Sequence, residues 1–407
     1  MIHRIDYTLV ARGGSEEVSG QLMLAGVGLV LMLITILALR DHRKLRRITY
    51  ISLIAGTVLL LLPMVPGLGR EIYGARIWIN VAGFSYQPAE LAKIFFAIFF
   101  AGYLVSQRDN LALAGKKVLG IQLPRGRHFG PILVGWAASM AVLVLERDFG
   151  TAILFFGLFV AILYVATERV SWLIIGGLLT AVGVFFIVQV MPHIQARFAI
   201  WLDPLSTELY NAQHGSYQIV QGWFGMASGG LLGTGLGNGY PANASQANSD
   251  MIIASFGEEI GLIGLIAMLA VYLVFTTRAL KTAIDLRDGF GKLLASGLGF
   301  TIGLQCFIVA GGVTGVIPMT GLAMPFIALG GSALLTNWII VGLLLRMSDA
   351  ARRPYIPASA PLPTADIDDD DSPADLDEDS RGDDVDDAGD DTAETTEQDR
   401  YPTEVVR

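Results

Sequence analysis

The stretch "QANSDMIIASFGEEIGLIGLIAMLAVYLVF", residues 246–275, decides the fold of this chain. A polar loop ends at Asp250, and an apolar run follows in which only Glu258 and Glu259 are charged. About 20 consecutive apolar residues are enough to cross a bilayer as a helix. The stretch therefore predicts a membrane-spanning helix with a carboxylate at its entrance, and it raises the question of why that carboxylate is there.

The rest of the chain repeats this pattern. Apolar residues make up 53% of the 407 residues and charged residues only 16%, which is unusual for a soluble protein. Lipid cannot hydrogen-bond to backbone groups, so apolar runs of this length must be helices. We therefore predict an all-α polytopic membrane protein with about nine transmembrane helices, at 20–39, 49–68, 87–106, 130–146, 152–167, 172–191, 251–275, 293–313 and 322–345. The single Cys306 excludes an internal disulfide.

Basic residues indicate the orientation, because cytoplasmic loops are enriched in Lys and Arg. They cluster after the first, third, seventh and ninth predicted spans. The alternate loops, about 69–86, 146–151, 192–250 and 314–321, are then on the outer face. The clusters are Arg40, His42, Arg43, Lys44, Arg46 and Arg47; Arg108, Lys116, Lys117, Arg125 and Arg127; Arg278, Lys281, Arg287 and Lys292; and Arg346, Arg352 and Arg353.

The ends of the chain differ from this core of residues 20–350. Residues 351–407 hold 19 acidic and 5 basic residues with few large apolar side chains, which predicts a disordered acidic cytoplasmic tail. An odd number of spans with a cytoplasmic C-terminus puts Met1 and the lead 1–19 outside. Because nothing before Gly20 resembles a signal peptide, we expect that one or more upstream helices are missing.

Charged residues inside predicted spans are candidate functional residues, because each is costly in lipid unless it is paired or hydrated. Glu90 and Lys93 are three residues apart, so they share a helix face and can pair. A structural ion pair and a cationic site facing a cavity are equally compatible with this spacing. Arg76 and Trp78 precede them in an outer loop, where an amphipathic aromatic ring suits the headgroup region.

Other polar segments lie at the same face of the membrane. Asp148, in "LERDFGTAIL", is either a helix cap or a site residue. The outer loop 192–250, which contains Arg197, is long enough to suggest a function. Its run "GGLLGTGLG", residues 229–237, resembles a phosphate-binding loop, but no strand precedes it, so close helix packing is the favoured explanation. Glu258 and Glu259 are expected to be structural, although a water-filled cavity would make them candidates.

Five segments in this order together resemble the SEDS family of RodA- and FtsW-type peptidoglycan polymerases. They are "GARIWI" with "QPAELAK" (74–93), "RDFGTA" (147–152), "YQIVQ" with "GGLLGTGLG" (217–237), "NSDMIIASFGEE" (248–259) and "IPMTGLAMPFIALGGS" (317–332). The resemblance covers residues 20–348 and is closer to actinobacterial RodA-type members than to FtsW. Departures include Ile77 in place of the family's second Arg, and Asn248 and Ser249 in place of His-Thr.

The resemblance implies a ten-helix core of which at least the first helix is absent here. It also implies an inverting glycosyltransferase that polymerises lipid II at the outer face of the cytoplasmic (inner) membrane during elongation, releasing undecaprenyl diphosphate. Asp250 is the implied catalytic residue. The implied partners are lipid II, membrane lipids and a class B penicillin-binding protein (a transpeptidase), with no nucleic acid. The implied substrate-binding residues are Arg76, Trp78, Glu90, Lys93, Asp148, Arg197 and Gln218.

The chemistry of these residues suits that reaction. A sugar hydroxyl is a weak nucleophile, and partial desolvation would make Asp250 a better base for it. Arg76, Lys93 and Arg197 are cations available to the leaving diphosphate. A divalent cation, Mg²⁺ or Mn²⁺, held by Asp250 and the diphosphate is an alternative source of countercharge. Two other functions stay open on sequence alone: a lipid II flippase, and a non-catalytic scaffold for a transpeptidase.

Overall fold

The computed structural model describes residues 15–353 except 73–74, 82–83, 113–116, 119–120, 123–136, 138–140, 142–143, 145–146, 213–214, 241–242 and 245. Within these residues eight helices are long and apolar enough to cross a membrane. They match eight of the nine predicted spans, and the helical membrane fold is confirmed. Most of the predicted fourth span (130–146), most of the N-terminal lead and the tail from residue 354 onwards lie outside the described residues.

The helices of the bundle are joined by connections of very different length, from a single residue between α5 and α6 to more than 20 residues between α8 and α9. A 3₁₀ turn at His42–Ile48 precedes the second long helix, and another at Leu62–Met64 follows it. In chain order the helices are α1 (Ser15–Ala38), α2 (Thr49–Leu61), α3 (Pro88–Ala112), α4 (Phe149–Thr167), α5 (Ser171–Val190), α6 (Pro192–Leu202), α7 (Thr207–Asn211), α8 (Tyr217–Gly229), α9 (Ile252–Asp285), α10 (Gly289–Val313) and α11 (Gly331–Arg352).

Helix α10 is the centre of the bundle. It packs against α3, α4, α9 and α11, and most of its side chains are buried. Helix α5 is the opposite case, because it packs mainly on α4 and α6 and leaves large apolar side chains such as Leu178, Phe185 and Phe186 exposed. An apolar surface of this kind suits a helix that faces lipid.

A small antiparallel sheet, which the sequence analysis did not predict, lies in the predicted outer loop 69–86. Its strands are β1 (Gly69–Ile72), β2 (Ala75–Val81) and β3 (Phe84–Tyr86), in the order β1-β2-β3. A second pair, β4 (Lys117–Val118) and β5 (Ile121–Gln122), is shorter still. Strand β2 contacts α3, so the sheet carries Arg76 and Trp78 to the beginning of that helix.

Helix α9 is interrupted at Gly261, where φ is +68°. The loop after α8 fills the interruption: the Leu262 N–H donates to the Gly230 carbonyl (3.0 Å), and the Thr234 N–H donates to the Glu258 carbonyl (3.0 Å). Backbone groups freed by a broken transmembrane helix need such partners. The glycine-rich run therefore serves close packing against α9, as the sequence analysis favoured, and not a phosphate cradle.

The last predicted span, 322–345, begins later than expected, because α11 starts at Gly331. Residues 318–330 form neither helix nor strand, and we call them the 318–330 segment. Its backbone carbonyls accept hydrogen bonds from side chains of four different helices. These bonds are Arg197 Nη1 to Met319 O (3.0 Å), Gln305 Nε2 to Ala323 O (2.8 Å), Tyr272 Oη to Pro325 O, and Gln21 Nε2 to Ala328 O (3.2 Å).

Candidate active site

Asp250, Arg197 and Gly321 meet at one end of the bundle. Asp250 is the last residue of the polar turn before α9, and Arg197 projects from α6. A methyl group built on Gly321 would lie 3.7 Å from Asp250 Oδ2 and 3.7 Å from Arg197 Nη2. Gly321 has a φ of +78°, which a side chain would strain, so glycine suits both the backbone and the close approach of the two charged groups.

The two chain segments beside this point are joined directly. The Leu329 N–H donates to the Asn248 carbonyl at 2.7 Å, which ties the 318–330 segment to the turn that ends at Asp250. Arg197 is held against the same segment by its bond to Met319 O. Gln246 and Phe326, one in each segment, have φ near +60°, a conformation that is costly for residues with side chains. The backbone around Asp250 is thus strained and held by specific contacts.

Asp148 caps the neighbouring helix α4. Its Oδ1 accepts the Thr151 N–H at 3.0 Å, and its Oδ2 accepts from Gln87 Nε2 at 3.3 Å. The capping interpretation is therefore correct. Asp148 also lies within electrostatic range of Arg197, so the same carboxylate belongs to the charged cluster around Asp250.

Glu90 and Lys93 form the ion pair that their spacing predicts. Lys93 Nζ lies 2.6 Å from Glu90 Oε2, and their side chains are only 1% and 5% exposed. Lys93 Nζ also donates to Gln305 Oε1 at 3.0 Å, across the bundle on α10. Glu90 is within electrostatic range of Asp148. Charges thus run from α3 through Asp148 and Arg197 towards Asp250.

Burial changes the acid–base properties of this cluster. It raises the pKa of Asp250 to about 6, although the positive charge of Arg197 and a hydrogen bond from Ser249 act in the opposite direction. Burial also raises the pKa of Asp148, with the Thr151 hydrogen bonds opposing the rise. The pKa of Arg197 is lowered by burial, and the charges of Asp148 and Asp250 oppose that change. Asp250 is therefore mostly ionised at neutral pH while remaining a usable base.

The other residues expected at the site lie near its edges. Arg76 is exposed and Trp78 partly buried on β2. Gln218 is partly buried on α8, and its Nε2 has no hydrogen-bond partner among the described residues. The structure brings Asp250, Arg197 and Asp148 together and connects Asp148 to the Glu90–Lys93 pair. Within the part of the chain that the structure describes, neither Trp78 nor Gln218 hydrogen-bonds to that cluster.

Glu258 and Glu259 are buried in α9 beyond Asp250. Glu258 Oε1 accepts the Tyr240 N–H at 2.8 Å and borders a cavity of about 240 Å³ between α8 and α9. The carboxylate oxygens of Glu259 have no hydrogen-bond partner within the described part of the chain. The bond to Tyr240 suits the structural role that the sequence analysis favoured for Glu258, and the cavity beside it is the condition under which the analysis made Glu258 a candidate site residue.

A divalent cation at Asp250 would need ligands beyond the side chains that the structure describes. Among the described residues no group of three or more His, Cys, Asp or Glu side chains could hold a metal ion. Asp250 faces the positive Arg197 instead of a second carboxylate. Mg²⁺ is commonly bound by one or two carboxylates together with substrate phosphates, so Asp250 fits such an ion only when a diphosphate substrate completes the site.

Comparison with known proteins places this arrangement in a family. The FtsW/RodA/SpoVE model, described as "Cell cycle protein", matches residues 7–353. The chain belongs to the FtsW/RodA/SpoVE family. Within that family it is 45% identical to the peptidoglycan glycosyltransferase RodA of Mycobacterium leprae over 357 residues, which is 87% of this chain and 75% of the relative. It is 33% identical to a probable peptidoglycan glycosyltransferase FtsW of Geobacter metallireducens, over 77% of this chain and 80% of the relative.

Solved structures of FtsW/RodA/SpoVE proteins share the fold. A chain from a structure titled "Structural coordination of polymerization and crosslinking by a peptidoglycan synthase complex" has a TM-score of 0.65 at 24% identity, covering 85% of this chain and 94% of that one. RodA of Thermus thermophilus has a TM-score of 0.54 at 22% identity, covering 82% and 89%. The RodA-like resemblance predicted from the five segments is confirmed.

Two uncharged residues that contact the charged cluster, Gln305 and Gly321, were missed by the sequence analysis. Gln305 is a fully buried amide in an apolar span, and a polar residue in such a span is a functional candidate by default. That signal was present in the sequence. Gly321 is one of 47 glycines, and only its position against Asp250 and Arg197 distinguishes it.

Proposed function

We propose that this chain is a peptidoglycan glycosyltransferase that polymerises lipid II into glycan strands during cell elongation. The observation that carries the proposal is Asp250, a partly buried carboxylate with a pKa of about 6, opposite Arg197 at the entrance of a transmembrane helix. Relatives at 44–45% identity over 87% of the chain carry the name peptidoglycan glycosyltransferase RodA. A carboxylate at this depth suits substrates whose sugars are in water and whose tails are in lipid.

Asp250 is the general base of the proposed reaction. The 4-hydroxyl oxygen of one lipid-linked disaccharide attacks C1 of the lipid-linked chain, and the bond from C1 to the diphosphate oxygen breaks. The hydroxyl proton passes to Asp250, and undecaprenyl diphosphate leaves with the bonding electron pair. Attack opposite the leaving group inverts C1 and forms a β-1,4 bond. General-base assistance of this kind contributes about 10²- to 10⁴-fold.

The leaving diphosphate needs positive charge in a site from which water is partly excluded. Arg197 borders Gly321 together with Asp250 and is fixed by its bond to Met319, so we assign it to the diphosphate. Lys93 supplies a second, buried positive charge, and Glu90 orients it at 2.6 Å. Arg76, exposed on β2, is assigned to the approach of the substrate.

The remaining assignments follow from side-chain chemistry. Trp78 offers an aromatic face to a sugar ring or to the isoprenoid chain. Gln218 has an amide donor that lacks a partner within the described residues, which suits a sugar hydroxyl or a phosphate oxygen. Asp148 holds the start of α4 beside Arg197. All of these residues lie within 20–350, so we assign the polymerase domain to that part of the chain.

The family also bears on location and partners. We place the protein in the cytoplasmic (inner) membrane with its acidic C-terminal tail in the cytoplasm, as the basic clusters predict. A fold relative was solved as part of a peptidoglycan synthase complex. We therefore propose that a class B penicillin-binding protein crosslinks the strands that this chain makes.

The proposal is tested by incubating purified protein with labelled lipid II in detergent. A polymerase produces glycan strands there, whereas a flippase, with no membrane to cross, and a non-catalytic scaffold both produce none. A parallel reaction with a chelator shows whether a divalent cation contributes. The absence of polymer from well-folded wild-type protein under both conditions would contradict the proposal.

A further inference from the structure

Gln305 connects two parts of the site, the Glu90–Lys93 pair and the 318–330 segment. It is completely buried on α10. Its Oε1 accepts from Lys93 Nζ at 3.0 Å, and its Nε2 donates to the Ala323 carbonyl at 2.8 Å. An ammonium group can only donate and a carbonyl can only accept, so both ends of the amide are committed and only one orientation satisfies them.

The carbonyl that Gln305 holds is close to the proposed base. Ala323 follows Gly321 by two residues, and Gly321 borders both Asp250 and Arg197. The 318–330 segment has no helix or sheet ladder of its own, so a few backbone bonds, such as that from the Leu329 N–H to the Asn248 carbonyl, and the side-chain hydrogen bonds to its carbonyls define its path. Four of the side-chain bonds come from four different helices. Of these, the bond from Gln305 is the one that also contacts the buried ion pair of α3.

We propose that Gln305 is a positioning residue, which couples the Glu90–Lys93 pair to the 318–330 segment beside Asp250 and Arg197. This inference rests on the proposed function and adds a residue to it. Gln305 holds Lys93 in place for the leaving diphosphate. It also holds the backbone of the 318–330 segment, which lies beside Asp250. The transition state, in which charge develops on the leaving group, should depend on this alignment more than substrate binding does.

The test is Gln305→Met, which keeps the length and burial of the side chain but removes both hydrogen bonds. Purified variant and wild type are compared for kcat and KM with lipid II in detergent. Backbone hydrogen exchange of peptides covering residues 318–330 is measured on the same samples. If Gln305→Met fails to fold, Gln305→Asn replaces it, because its amide is one methylene too short to reach both partners.

The matched control is Thr301→Val on the same helix. Thr301 is also buried, but its hydroxyl bonds only to the carbonyl of Gly297 within α10, at 2.8 Å, according to the described contacts. Removing that hydroxyl perturbs the helix without touching Lys93 or the 318–330 segment. It therefore reports the cost of losing a buried polar group from α10 alone.

We expect Gln305→Met to lower kcat by about 10- to 100-fold, the loss typical of a hydrogen bond to a charged group, with KM changed by less than about threefold. Exchange in residues 319–324 should become faster, and Thr301→Val should match the wild type in both readouts. A kcat within about twofold of wild type, unchanged exchange, or an equal loss in Thr301→Val would overturn the inference.

The same experiment separates this inference from the proposed function. If wild-type protein polymerises lipid II and Gln305→Met does so equally well, only the positioning role fails. If folded wild-type protein makes no polymer, the proposed function fails, and the inference fails with it.

Discussion

Neutralising Lys93 distinguishes the two explanations of the Glu90–Lys93 pair. A purely structural pair predicts that its loss is repaired by removing both charges. A pair that also provides a cation for the substrate predicts that the fold is repaired and the activity is not. The informative variants are Lys93→Met, Glu90→Gln and the double variant carrying both changes.

The magnitude follows from the geometry. Two unit charges 2.6 Å apart attract by about 6 kcal/mol at an effective dielectric constant of about 20. Removing both ions from water costs several kcal/mol each, so the intact pair contributes little net stability. Lys93→Met leaves Glu90 as an unpaired charge only 4% exposed, for which a loss of about 3–5 kcal/mol is typical.

The assay combines thermal unfolding in detergent with lipid II polymerisation. Both the Lys93→Met and the double variant lose the bond to Gln305, so their comparison isolates the unpaired charge. We expect the double variant to recover most of the stability that Lys93→Met loses, yet to polymerise at least about tenfold more slowly than wild type. It should also be slower than Gln305→Met, which loses the same hydrogen bond but keeps the cation. Double-variant activity equal to wild type would refute the cationic role, and a fully stable Lys93→Met would refute the energetic reasoning.

Three further predictions concern other parts of the chain. Because the pKa of Asp250 is about 6 and the base must be ionised, kcat/KM should fall about tenfold between pH 7 and pH 5; a flat profile in a pH-rate measurement would contradict this. Gly321→Ala, at a φ of +78°, should slow polymerisation about tenfold through strain beside Asp250, whereas Gly330→Ala, at −161°, should be tolerated in the same assay. His42→Ala should lower the free energy of unfolding by about 1–3 kcal/mol, measured by thermal melts, because buried His42 bonds Asp288 at 2.9 Å. Turnover should be unchanged, because Asp288 caps the start of α10, whereas the 318–330 segment follows the other end of that helix.

The pKa of Asp288 predicts how the stability difference in the His42 experiment changes with pH. Burial alone would raise the pKa of Asp288, but hydrogen bonds from His42 and the Gly291 N–H hold it at about 2. A depressed carboxylate pKa stabilises the fold above the unfolded pKa of about 4, and that stabilisation is lost as the pH falls towards 2. The stability difference between wild type and His42→Ala should therefore shrink at acidic pH.

The spans could be predicted from the sequence because each is a continuous apolar run. Such a run must form a helix in lipid, since lipid offers no hydrogen-bond partners to its backbone groups. The residues at which the helices begin and end were harder to predict from the sequence. The apolar composition of residues 322–330 resembles that of a helix, but side chains from Gln305, Tyr272 and Gln21 hold this stretch in a non-helical path. Those contacts are distant in sequence, so composition does not reveal them.

The same distinction between local and distant contacts applies to the residues of the site. The Glu90–Lys93 pair is local, and a spacing of three residues is enough to predict it. The approach of Arg197 and Asp250 across Gly321 depends on three separate segments and had to be seen in the structure. The β1–β3 sheet was missed because membrane composition directed attention to helices, and because its strands are only three to seven residues long.

The most direct test of the account is lipid II polymerisation by Asp250→Asn in detergent, beside Glu208→Gln as an exposed control on α7. The account predicts that Asp250→Asn lowers polymerisation by about 10²-fold or more, while its melting temperature is at least that of wild type, because the ionised carboxylate is disfavoured there. Glu208→Gln should behave as wild type. Polymerisation by Asp250→Asn within a few-fold of wild type would contradict the central claim.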